Sequence, residues 1–261
     1  MTAADIAAYI GAAAWLPQLG TWVYDAYSKP KLKIVSAGKI EIGFSMFGPI
    51  ANPTLAISAE RRDALIEKMS LRVTHEHGEQ RFLDWRFLNE VQQQIRDPQG
   101  NVSSQYKNTP AVALKVSTLA LAERIVGFHD PKFEELDRVT TGPISAQFRH
   151  NEAQMGNGAA LDWLLNSMEF KHAQRIFEDS MFWRAGKWEF LFSVQLAGVK
   201  KPHAQGFSVT FSDDDVTTLR RNFDLLVPYV RAISSVNEED RKLITWNWVY
   251  PSIVPAPESR F

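Results

Sequence analysis

The chain contains no cysteine in 261 residues. That excludes disulfides, thiolate metal sites and cysteine nucleophiles, and it fits a reducing compartment. A charge excess is also missing. Lys and Arg number 29 against 30 Asp and Glu, a formal net charge of −1, so no nucleic-acid partner is expected. The segment poorest in charge is at the amino end: Ile6 to Tyr24 carries none, and residues 1–28 hold no Lys or Arg, although Asp5 is present. With no basic residues ahead of the apolar run, a cleaved secretory signal is not expected.

What occupies that uncharged stretch is apolar enough to be a candidate membrane anchor, carried by Ile6, Ile10, Trp15, Leu16, Leu19, Trp22 and Val23. As a helix it would be roughly 28 Å long, close to the hydrocarbon thickness of a bilayer. Pro17, Gln18, Gly11, Gly20 and the alanines at 12–14 lower its hydrophobicity. On a continuous helix, Gln18, Thr21 and Asp25 share one stripe and Trp15, Leu19 and Trp22 another. That is the pattern of a helix lying in a membrane interface or docked on a protein surface. Lys29, Lys31 and Lys33 follow at once and favour a cytoplasmic flank if the helix spans. The expected partner is therefore the lipid bilayer, with the main domain cytoplasmic. The alternative is a soluble cytoplasmic protein whose terminal helix packs on its own domain or mediates dimerisation.

The remainder, 45% hydrophobic over the whole chain, is ample for a folded core. Met69 to His75 alternates apolar and polar residues, His77-Gly78-Glu79 is a turn, and Arg81 to Leu88 is the returning strand. Trp188, Phe190, Phe192, Val194 and Leu196 share one strand face, with Phe207 to Phe211 as partner. Shorter strands are expected over Leu32–Val35, Ile40–Phe47, Ala111–Val116 and the aromatic run Ile244–Tyr250, with breaks at Ala37-Gly38, Gly48-Pro49 and Asn52-Pro53. Ser212 with Asp215 forms a capping box opening a helix through Leu219, Phe223, Leu226 and Val230, and Ala159–Phe177 is compatible with another helix. The pattern predicts a mainly β chain: an antiparallel, Ig-like β-sandwich over 29–261 with an apolar helix over 1–28 and one or two peripheral helices. Asp97 to Pro110, rich in turn residues, is the candidate loop or boundary at which the domain would divide in two. Gly-Pro-Ile occurs at 48–50 and again at 142–144, too short a match to establish a repeat.

Residue types able to carry chemistry are scattered. His75 and His77 flank Glu76 at a strand end, where both imidazoles could chelate a metal such as zinc with a distant third ligand, the basis of a metal-dependent hydrolase alternative. The same spacing is ordinary for an exposed hairpin. His129 beside Asp130 could orient an imidazole, but Gly43-Phe44-Ser45-Met46-Phe47 lacks the closing glycine of a nucleophile elbow. Gly156-Asn157-Gly158 lacks the third glycine of a dinucleotide site, and Asp213 to Asp215 fit helix capping. Eight tryptophans are present, and Trp246 and Trp248 would share a strand face as a candidate partner-binding patch. No cofactor is expected. These readings favour a membrane-associated, non-enzymatic binding or scaffolding protein.

Overall fold

The computed structural model describes residues 13–24, 29–96, 102–119, 121–234 and 244–256. Alternation builds the sheet. In β3 (Ala64–His75), Met69, Leu71 and Val73 are buried between half-exposed neighbours. After a turn in which Gly78 is left-handed at φ 88°, β4 (Gln80–Arg96) returns with Thr74 opposite Gln80 and Ser70 opposite Asp84. Trp188, Phe190, Phe192, Val194 and Leu196 of β8 (Gly186–Leu196) are all buried, and β9 (His203–Phe211) pairs with it, Trp188 opposite Val209. Both expected hairpins are present.

At three places the strands run through their expected breaks. β1 (Lys31–Ser45) is one strand, because an irregularity between Ser36 and Ile40, with Gly38 left-handed at φ 82°, absorbs the turn signal. β2 (Gly48–Glu60) carries both Pro49 and Pro53 opposite β1. Its ladder to β7 (Ala122–His129) starts only at Ile50 and skips residues 52 and 53, so neither proline stands at a position paired to β7. The expected loop over 97–110 is strand from residue 102 on: β5 (Val102–Pro110) pairs with β4, while 97–101 lie outside the described residues.

Among the described residues all pairings are antiparallel, with β1, β2, β7, β4, β3, β8 and β9 side by side in that order and β6 (Leu114–Val116) on β3. One continuous sheet curls around the core; a division into two Ig-like sheets is not shown. The carboxy-terminal segment joins its ends. β10 (Trp248–Val249) pairs with β1, β11 (Ile253–Pro255) pairs with β9, and between them Ile40 N–H donates to the Pro251 carbonyl at 3.2 Å. The concave face is filled. A residual void of about 10 Å³ remains among Ile40, Leu55, Leu71, Phe192, Phe207 and Ile253, no larger than a single water needs.

Helices are more extensive than one or two. Among the described residues, 13–24 form α1, and between β7 and β8 lie α2 (Pro131–Met155), α3 (Asn157–Asn166) and α4 (Met168–Asp179). After β9 come α5 (Asp213–Arg220), a 3₁₀ turn (Arg221–Leu225) and α6 (Leu226–Ser234). α2 begins where Asp130 accepts the Lys132 N–H at 2.8 Å with Pro131 as the first helical residue, a pre-set φ at a position whose N–H would be unused. It continues through Gly142-Pro143-Ile144, whereas the same tripeptide at 48–50 opens a strand, so the two copies mark no repeat. Phe133 anchors α2 to the sheet by packing against Gly48, whose positive φ of 75° and missing Cβ admit the ring.

Candidate functional site

Two features stand out from this frame: α1 and a cleft beneath the cap helices. In α1 every residue is exposed, including Trp15 at 63%, Leu16 at 66%, Leu19 at 54%, Trp22 at 71% and Val23 at 47% of their surfaces. No described part of the sheet or cap shelters them. The Thr21 hydroxyl donates to the Pro17 carbonyl at 2.8 Å, so this polar group is satisfied within the helix itself. Ile6 and Ile10 lie outside the described residues. Among the described residues, no helix is long and apolar enough to cross a membrane.

The cleft is built by helical periodicity. Along α2, Phe133, Asp137, Thr141, Ile144 and Phe148 recur at three- and four-residue steps and form one stripe. α4 presents Phe170, Ala173, Ile176 and Phe177, and α6 presents Leu226, Tyr229, Val230 and Ile233, each at the same spacing. The stripes face one another without closing and leave a cavity of about 420 Å³, within the range of small-ligand sites. Its walls are mainly aromatic and aliphatic, with hydroxyls from Thr140, Thr141, Ser145 and Ser234 and the charged Asp137 and Arg149. Burial alone pushes the Asp137 carboxyl above the ordinary aspartate range, and burial likewise raises the Tyr229 phenol.

Hydrogen bonds and ring packing hold the histidine pair in place. His75 is buried, its Nε2 donates to the Ala185 carbonyl at 3.0 Å, and its Nδ1 accepts the His77 N–H at 3.4 Å. Both ring nitrogens are engaged, and the ring packs on Trp188 with centroids 4.8 Å apart. His77 is exposed, and its ring meets that of His75 edge to face with centroids 5.0 Å apart. Among the described residues no group of three His, Cys, Asp or Glu side chains could hold a metal ion.

Asp130 is spent on the α2 cap, and the carboxylate nearest His129 is instead Glu134, 3.6 Å from Nδ1 and ion-paired to Arg86. Burial, with the Arg86 charge adding to it, lowers the His129 pKa to about 4, so the ring is neutral at physiological pH. Phe47 and Phe87 flank it with centroids at 5.9 and 5.7 Å. Ser45 is buried and its hydroxyl accepts the Phe47 N–H, with a strand and no helix following. Asn157 donates to Glu152 and to the Ser234 carbonyl, tying the glycine-flanked turn to the end of α6. Asp215 completes the expected capping box with Ser212.

Trp246 and Trp248 do not share a strand face. Only Trp248–Val249 of the expected aromatic strand is extended and paired. The reason is Asn222, fully buried, which donates to the Phe44 and Asn247 carbonyls and accepts from the Asn247 backbone and side chain. This clamp turns residues 244–247 away from the sheet. Trp246 packs on Phe177 and Tyr229, Trp248 covers Gly43, and both rings are half-buried.

The α2 stripe escaped sequence reasoning, although Asp130-Pro131 with the acidic Glu134 in the turn that follows is a helix-start signal. No family model matches the chain, and no curated protein matches it.

Proposed function

We propose that the protein is a membrane-associated, non-enzymatic binding protein that attaches to the cytoplasmic face of a bilayer through its apolar amino-terminal segment. The observation that carries this reading is the complete exposure of α1, with two tryptophans, two leucines, Val23 and Tyr24 facing solvent. Leaving such side chains wet costs about 25 cal/mol per Å² of apolar surface, and a lipid interface recovers that energy. Tryptophan and tyrosine are the residues that settle at headgroup level. Lys29, Lys31 and Lys33 supply the positive flank that an anionic leaflet attracts, each worth about 1 kcal/mol near the surface. The curled sheet and its helical cap then form a platform held at the membrane.

Sedimentation with phosphatidylcholine vesicles, with and without phosphatidylserine, tests the proposal. The intact chain is expected in the pellet with serine-containing vesicles, and a variant carrying Trp15→Ser, Leu19→Ser and Trp22→Ser is expected in the supernatant. An intact chain that stays in the supernatant with both vesicle types overturns it.

A further inference from the structure

The cavity among α2, α4 and α6 is lined by a carboxylate that no described side chain partners. Asp137 lines a space walled by Phe133, Phe170, Phe177 and Tyr229 and is partly buried; its backbone carbonyl accepts the Thr141 hydroxyl at 2.8 Å, while its carboxylate makes no ion pair or hydrogen bond among the described residues. A carboxylate facing aromatic and aliphatic walls is stabilised by a cation brought in by a ligand, and aromatic faces attract the same charge. Arg149, the other charged group on the lining, is exposed and lies three turns further along α2, about 18 Å by helical rise. No ion pair joins the two groups, and the Asp137 carboxylate is open to a cation.

We propose that this cavity binds an organic ammonium compound with an apolar body, its cationic nitrogen against the Asp137 carboxylate and its hydrocarbon among Phe170, Ile176 and Phe177. The volume of about 420 Å³ accommodates one such molecule, and the filled interior of the curled sheet leaves no competing site there. The site is separate from α1, so its occupancy does not depend on membrane attachment.

Calorimetric titration of the full chain with octyltrimethylammonium, octanol and octanoate, all used as monomers, reads the preference directly. One octyltrimethylammonium per chain is expected, at least tenfold tighter than octanol, with octanoate weakest. Asp137→Asn, which removes a desolvated charge and leaves the fold intact, brings octyltrimethylammonium to parity with octanol. Ile176→Trp, which fills the cavity, abolishes binding of both. Equal binding of the three probes, tighter binding of octanoate through Arg149, or an Asp137→Asn variant with unchanged preference overturns the proposal. Since α1 is intact in every variant, vesicle sedimentation remains unaffected whichever result is obtained.

Discussion

His129 shows how one side chain converts burial into pH dependence. Its folded pKa is lowered from 6.5 to about 4, first by burial and then by the Arg86 charge. Above pH 6.5 folded and unfolded chains both hold it neutral, and its contribution to stability is complete. Between 6.5 and about 4 the unfolded chain takes up a proton that the folded chain refuses, so stability falls with pH, by up to about 3 kcal/mol. His129→Phe keeps a ring between Phe47 and Phe87 and removes the titration. Urea unfolding at pH 7 and pH 4.5 is expected to show a smaller stability difference for His129→Phe than for the wild type, and an unchanged difference would locate the acid sensitivity elsewhere. The adjacent pair His129-Asp130 was visible in the sequence, but the division of labour was not. Capping draws Asp130 to the helix, the first turn of α2 places Glu134 beside the ring, and only the folded pairing of β4 with β7 brings Arg86 near it. His75 follows the same logic: its spacing to His77 is local, whereas the Ala185 carbonyl that occupies Nε2 is 110 positions away.

Secondary structure divides into what local pattern decides and what tertiary contact decides. β3, β4, β8, β9 and the α5 capping box were legible because alternation and capping are written in adjacent residues. The prolines of β2 misled, since whether a missing N–H matters depends on which neighbour strand faces it. α2 was hidden by Gly142-Pro143 at its middle and by a polar composition that leaves only Phe133 and Asn151 buried. Because the cavity needs the stripes of α2, α4 and α6 together, it could not be read from any one of them. Gly48 ties strand to helix and supplies a quantitative check. Gly48→Ala must carry an L-residue at φ 75° and also displace Phe133, costing about 2–4 kcal/mol. Gly78→Ala, at φ 88° with open space around it, carries the backbone strain alone, about 1–2 kcal/mol. Thermal unfolding of the two variants should rank Gly48→Ala as the less stable. Equal losses would mean that Phe133 does not depend on the missing Cβ.

For the molecule as a unit, the decisive contrast is between two apolar surfaces. The sheet's concave face is filled and its ends are joined by the carboxy-terminal segment, while α1 lies wholly in solvent. The sequence foretold the mainly β, antiparallel class, but not the single curled sheet, because joining its ends depends on residues 248–255 meeting both β1 and β9. The proposed attachment rests on this unsheltered apolar helix and the lysines that follow it. The absence of cysteine makes that contact measurable at one position. A single Leu19→Cys substitution, labelled with an environment-sensitive fluorophore, should shift to the blue on addition of phosphatidylserine-containing vesicles and be quenched by brominated acyl chains, while the same label at exposed Phe82 on β4 should not respond. A label at residue 19 whose emission stays that of water, vesicles present or not, would contradict membrane attachment through α1.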